Sequence, residues 1–588
     1  MKIYNYPTIL FLCICTLLFV RCGESVDNAD NLDFTTTFEK SDGTQTPTYE
    51  EVIQFYKDLD KAYTSIQTYD IGTTDSGKPL TLITFNPNRS FDSEFSAGKD
   101  VRRILINNGI HPGESDGIDA SMLLMRDLAQ GKIEAPKITW IGVIAVYNVG
   151  GALNRNSNSR TNQNGPEAYG FRGNAKNYDL NRDFIKRDTK NAAAFAEIYH
   201  LVKPDVFIDN HVSNGADYQY TLTHLFTQHN KLGGVLGEFL NQDFQPKIEQ
   251  DLKDKDWEIT PYVNVFNRTP EQGFSQFMDY PRYSTGYTTL WNTLGLMVET
   301  HMLKPYKPRV EGTYELMKSV IAVTEREGEK IKALRANAFS AFAKAETYPL
   351  QYSIDSSKTT TLNFMGYEGT MIPSAITGQQ RLKYDRSKPF TKEVTYYDSF
   401  KGSGEITIPK AYFIPRGYRD IALLLRSNDI EFRQLKRDTT FTAEVYHIDS
   451  YETRRSAYEG HYPHYNTKVK VSEQTVTIPK GGYMVSTDQE GIRYLLETLE
   501  PEAIDSFFNW NFFDTILQQK EGFSPYVWED QAEAFLLEHP LIFNEFEEKK
   551  AKEPRFAQNW YAQLDWIHKQ SPNYEQAHLR YPIVRMLR

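Results

Sequence analysis

The period of the apolar positions changes along this chain, and the changes divide it into regions. Val52, Phe55, Tyr56, Leu59 and Tyr63 line one face at helical spacing. Thr48 as N-cap, with Glu51 three positions on, marks the start of that helix. A strand is predicted at Ile66–Ile71, then a turn at Thr73–Lys78 and a second strand at Pro79–Phe85. Strand and helix patterns alternate from there to about residue 335, as in an α/β domain with helices packed on a mixed sheet. Within this region Val101–Ile106 reads as a buried strand, and Ile118, Met122, Leu123, Met125 and Leu128 as a helix. A last helix, Glu311–Phe342, carries the stripe Tyr314, Met317, Val320, Ile321 and Val323.

Residues 345–490 differ in kind. The short runs Thr359–Phe364, Glu393–Tyr397, Gly404–Ile408, Ile421–Leu425, Thr439–Tyr446, Lys468–Pro479 and Tyr483–Val485 are separated by turn residues and predict a β-sandwich-like accessory domain. Residues 491–588 return to helical spacing with many aromatics, among them Phe507, Phe508, Trp510, Phe512 and Phe513. These read as core packed onto the sandwich rather than as a sugar-binding platform.

At the other end, Ile9–Val20 is an apolar run behind Lys2, long enough for a signal peptide and too short to span a bilayer. The three cysteines, Cys13, Cys15 and Cys22, all lie in or just after it. Cleavage before Cys22 leaves that residue first in the mature chain, which resembles a bacterial lipoprotein signal, with Arg21 where a small residue is usual. The expectation is an exported lipoprotein of the cell envelope, on its periplasmic or outer-membrane face, held to the bacterial membrane by a lipid on Cys22. An ordinary secretory signal cut nearby is the other reading. In either case the mature chain has no pair of cysteines to cross-link, so stability rests on core size. Residues 23–45, rich in Asp, Ser, Thr and Asn, read as a flexible tether.

Length and charge narrow the class. At 588 residues the chain is too long for one core and suggests roughly three to four domains. A net charge of −11 argues against nucleic acid as a partner. The 37 tyrosines favour an extracytoplasmic protein with sugar- or peptide-contacting surfaces.

The candidate chemistry sits at strand ends. His111-Pro112-Gly113-Glu114 follows the Val101–Ile106 run and precedes a helix, a place where α/β proteins put binding groups. An imidazole and a carboxylate three positions apart can face one point, and with a third ligand they make a zinc site with an open position. Three further stretches carry polar groups at comparable places: Asn177-Tyr178-Asp179-Leu180-Asn181-Arg182, the run Asp205–His211, and Leu294–His301 with Glu299 near its end. Singly each has a structural explanation: a helix cap, a satisfied core histidine, a strand-end charge. All holding together is improbable.

The order His-x-x-Glu, Asp-x-Asn-Arg, strand-end His, strand-end Glu resembles the zinc carboxypeptidase (M14) family over roughly residues 48–335. The resemblance implies a zinc carboxypeptidase-like catalytic domain over residues 46–342 and one zinc ion held by His111, Glu114 and His211. Asp179 would fix the tautomer of His111, Asn181 and Arg182 would bind the substrate's free carboxylate, and Glu299 would be the general base. The family's oxyanion-stabilising arginine falls on Arg160, with Arg155 second, and its mobile tyrosine on Tyr283 or Tyr287. The function implied is removal of C-terminal residues from a peptide substrate. The alternatives are a zinc amidohydrolase of acyl-amino acids or cell-wall peptides, and a surface binding lipoprotein on a peptidase scaffold. His301, His224 and His229 read as structural.

Overall fold

The parallel centre of one sheet positions the chemistry. In the computed structural model, which describes residues 32–86 and 101–587, eight strands form a mixed sheet. They are β1 (Ile66–Ile71), β2 (Leu80–Phe85), β3 (Arg102–Asn108), β4 (Thr139–Ile144), β5 (Val206–Ser213), β6 (Leu222–Phe226), β7 (Ile259–Pro261) and, after a two-residue strand β8 (Phe274–Ser275) that pairs elsewhere, β9 (Leu294–His301). The order is β1-β2-β4-β3-β5-β9-β6-β7. β4, β3, β5 and β9 are parallel to their neighbours within this group, β1 and β2 run antiparallel to theirs, and β6 is antiparallel to β9 and parallel to β7. The expected signal segment 1–22, with Cys22, lies outside the described residues.

Both faces of the sheet are covered here, which is why the parallel strands β4 and β5, and the antiparallel β2 beside them, are buried at every position instead of alternating. Two residues on opposite faces of β5 show the two layers. Asn210 faces Gly117 of the helix α3 (Asp116–Ala129) and Met317 of the long helix Tyr306–Lys344. Phe207 faces Phe195 of the helix Lys190–Val202. The helix begun at Thr48 has the predicted capping box with Glu51 and spans Tyr49–Ala62.

Residues 32–45 depart from the expected tether. Thr36 caps a four-residue helix, α1 (Thr37–Lys40), whose Glu39 pairs with Arg126 at 2.6 Å. Phe34 packs on Phe55 and Tyr63, and Phe38 on Tyr306. Two aromatics four positions apart thus anchor a segment whose average composition is polar.

The strand-rich region forms three sheets. β10 (Thr347–Ile354) pairs with β13 (Phe400–Thr407), and β11 (Thr360–Pro373) with β12 (Gln380–Tyr397), which adds β8 to its edge. The third is a six-stranded sheet of β14 (Ala411–Ile414), β15 (Arg433–Gln434), β16 (Thr439–Thr453), β17 (His464–Ile478), β18 (Tyr483–Ser486) and β19 (Val584–Met586). The expected strand Ile421–Leu425 is instead the middle of a helix, Arg419–Arg426. Ile421, Ala422 and Leu425 share its buried face while Leu423 is exposed, a helical period that a short apolar run does not distinguish from a strand. Of the 491–588 region, Pro525–Gln570 is helical with a small core of its own, Phe507–Phe513 is a run of turns, and β19 returns to the sheet. Phe507, Phe508, Trp510 and Phe513 are fully buried, so these aromatics are core.

These parts share a hydrophobic interior with the α/β domain. Tyr494 stacks on Trp291, and the buried Arg493 donates to the carbonyl oxygens of Thr289 (2.9 Å) and Lys231 (2.6 Å).

Candidate active site

The chain turns at the C-terminal ends of β3, β5 and β9, the edge where parallel sheets collect ligands. His111 and Glu114 close one turn after β3, with the Glu114 N–H donating to the His111 carbonyl at 2.7 Å. Gly113 between them is required by space: a Cβ there would stand 2.5 Å from Cδ of Arg160. His211 and Glu299 come from β5 and β9, where they are register partners.

Glu114 is buried and surrounded by cationic or hydrogen-bonding groups. His111 Nδ1 lies 3.1 Å from Oε1, His211 Nδ1 2.9 Å from Oε2, and Arg160 donates to Oε1 at 2.8 Å. Burial alone would raise the pKa of this carboxyl; His111, Arg160 and His211 together hold it well below the usual range. On the far side of each ring, His111 Nε2 meets Asp179 at 2.9 Å and His211 Nε2 meets Asp209 at 3.0 Å. With the Nε2 hydrogens donated to these carboxylates, both Nδ1 lone pairs turn toward Glu114. The three ligand atoms lie within 4.8 Å of one another. Two oriented imidazoles and a carboxylate converging on one point are a donor set that fits zinc, with room for a further ligand on the pocket side.

A pocket of about 220 Å³ opens over this centre, lined by His111, Glu114, His211, Glu299, Asn181 and Arg182, with Arg160, Arg172, Tyr262 and Tyr283 among its walls. Enclosure pushes the Glu299 carboxyl up to about 8; His211 opposes this, while Glu114 and Asp209 add to it. A bound cation would act against the rise. Asp179 begins a short 3₁₀ turn, Leu180–Arg182, and accepts the Asn181 N–H at 2.9 Å. Arg182 is stacked on the Tyr283 ring at 4.6 Å, and Asn181 Oδ1 accepts the Ser284 N–H at 3.2 Å.

Of the two tyrosines considered, Tyr283 reaches the pocket and Tyr287 does not. Tyr287 is wholly buried against Phe184, Phe195 and Tyr199, and its hydroxyl donates to Asn428 Oδ1 at 2.8 Å, so it belongs to the core. Arg155 is also away from the pocket, its guanidinium donating to the carbonyls of Thr46 and Pro47. His301 pairs with Asp217 beneath the stacked ring of Tyr218.

Sequence reasoning passed over Asp209, Arg172, Tyr262 and Glu459. Asp209 was legible, since residues two apart on a strand share a face. Arg172 donates to Asp179 at 2.8 Å and stands 3.7 Å from Glu114, reached by an irregular loop with no periodic signal. Glu459 accepts the Asp179 N–H at 2.8 Å from the tip of the β16–β17 hairpin, and no local pattern announces so distant a partner.

The chain is similar to one known family and to several known proteins. The family described as zinc carboxypeptidase (peptidase M14) matches residues 52–206. Carboxypeptidase 2 of Trichophyton rubrum is 21% identical over 499 residues, covering 79% of this chain and 84% of that protein. Among solved structures, carboxypeptidase A from Helicoverpa armigera aligns at 12% identity and a TM-score of 0.38, over 52% of this chain and 78% of its own. A metallo-carboxypeptidase from Burkholderia cenocepacia aligns at 14% and 0.36, over 48% and 70%. Residues 52–206, which include His111 and Glu114, match the zinc carboxypeptidase family, and His211 joins those two residues in a cluster that could hold a metal ion.

Proposed function

We propose that the protein removes C-terminal residues from peptides one at a time, using a single zinc ion, as a lipid-anchored enzyme of the cell envelope. The observation that carries the exopeptidase reading is the presence of Asn181 and Arg182 in the same pocket as His111, Glu114, His211 and Glu299. A guanidinium there has little use for the neutral backbone of an internal peptide bond. It has a strong use for a free C-terminal carboxylate, which it binds through parallel hydrogen bonds. Zinc held by His111, Glu114 and His211 would supply Lewis acidity and lower the pKa of water in the pocket. Glu299 takes a proton from the attacking water onto its carboxylate and returns it to the leaving amine. Arg160 and Arg172 present positive charge to the oxygen of the scissile carbonyl as it becomes anionic. Tyr283, held against Arg182, forms the wall on the carboxylate side.

The test is hydrolysis of matched peptides with free and amidated C-termini. Amidation leaves Arg182 without its anion, and the expected loss is on the order of 10²-fold or more in kcat/KM. Equal rates would sink the exopeptidase reading in favour of an endo-acting enzyme or a zinc amidohydrolase.

A further inference from the structure

The tip of the β16–β17 hairpin belongs to the accessory region by sequence and to the active site by position. Tyr458–His461 is a tight turn: the Tyr458 N–H donates to the His461 carbonyl at 2.8 Å, and the His461 N–H donates back at 3.1 Å. Its two central residues, Glu459 (φ +49°) and Gly460 (φ +79°), are both left-handed, as a two-residue hairpin loop of this type demands. Such loops favour Asn or Asp before the Gly, and a glutamate there carries a backbone cost of roughly 1 kcal/mol. Its carboxylate accounts for the choice. Oε2 accepts the N–H of Asp179 at 2.8 Å, and that residue holds His111 on one oxygen and Arg172 on the other. Gly460 lies against Tyr178, where a Cβ would stand 2.7 Å from the phenol oxygen. His461 Nε2 meets Asp188 at 2.8 Å. Tyr458 stacks on Trp510 and carries the guanidinium of Arg282 over its ring at 5.8 Å. The turn therefore grips the Tyr178–Arg182 stretch by the backbone N–H of Asp179 and against the ring of Tyr178.

We propose that Glu459 is a positioning residue of the substrate-carboxylate subsite, so that the accessory region sets the discrimination between free and blocked C-termini. This rests on the role given above to Asn181 and Arg182. Glu459 fixes the turn that presents them. The recognition of the terminal carboxylate is then shared between two regions of the chain.

Two full-length variants test this: Glu459→Ala, and Glu459→Gln, whose amide oxygen still accepts the Asp179 N–H. kcat and KM are measured on the matched free and amidated peptides, with zinc content and melting temperature beside them. Binding of N-acetylphenylalanine and of its amide to the metal-free protein is measured by calorimetry. The expected result for Glu459→Ala is a KM about tenfold higher on the free peptide, with kcat and the amidated peptide little changed. N-acetylphenylalanine should bind more weakly in the same proportion, and Glu459→Gln should restore both. If the wild type prefers free peptides and Glu459→Ala keeps that preference, the proposal fails alone, including where only zinc affinity falls. If the wild type shows no preference, the exopeptidase reading fails and this proposal with it.

Discussion

Glu299, Asp209 and Asp119 illustrate three ways in which one carboxyl group acts. Glu299 lines the pocket without ligating, so Glu299→Gln should keep zinc and fold while losing roughly 10²–10⁴-fold in turnover. Unchanged turnover would move the proton to another group. Asp209 touches neither pocket nor ligand carboxylate; it accepts from Ser284 and orients His211. Asp209→Asn should weaken zinc binding by about 10–100-fold in a chelator competition; an unaltered affinity would show that β5 alone sets the ring. Asp119 is buried in α3 beneath Tyr306 and Thr46, which donates to it at 2.6 Å, and burial raises its pKa to about 7. The folded value lies above the ordinary 3.8, so between the two the native state holds a proton that the unfolded chain has released. The stability from this group is complete below about pH 4 and is lost as pH rises through about 7. Urea midpoints at pH 5 and pH 8 should therefore differ more in the wild type than in Asp119→Asn, and equal slopes would contradict the assignment.

Among the elements, those with local signals were legible. Thr48 and Glu51 announce the helix Tyr49–Ala62, and β1 occupies Ile66–Ile71 as its pattern predicts. The cluster that could hold a metal was legible from His111 and His211, each following an apolar run, and from Glu114 three positions after His111. Ile421–Leu425 was not, because five apolar residues suit either period until their neighbours decide which face is buried. The failure at residues 32–45 was one of averaging: polar composition concealed Phe34 and Phe38, which decide the segment's fate. That arm is a staple on α3 and on the long helix behind it, and its contribution is measurable. Phe38→Ala should cost about 3–5 kcal/mol in denaturant unfolding; a cost below 1 kcal/mol would return the arm to the status of a tether.

For the whole molecule, the partners of the active-site loops come from parts of the chain that sequence periodicity treats as separate. Arg493 seals Thr289 and Lys231, β12 extends the edge at β8, and Glu459 reaches Asp179. Long-range contacts of this kind leave no mark on a local window, which is why Glu459 and Arg172 were found only in three dimensions. Among the described residues no helix is long and apolar enough to cross a membrane. The proposed attachment is a lipid on Cys22, and Cys22→Ser should release the protein from the membrane fraction. A variant that stayed bound in high salt would exclude lipid at that residue.

The position of β19 bears on how the protein is made. Val584–Met586 is an interior strand, paired with β14 on one side and touching β16 on the other. Phe413 therefore waits for Val584 before its ladder can close, and until then the two halves of the six-stranded sheet present unpaired edges. Synthesis runs from the N-terminus at about 5–20 residues per second, so this sheet spends several seconds incomplete on a nascent chain. Premature termination a few residues short of Val584 would spare every catalytic side chain and still leave the accessory sheet split, open to joining the edge of another copy.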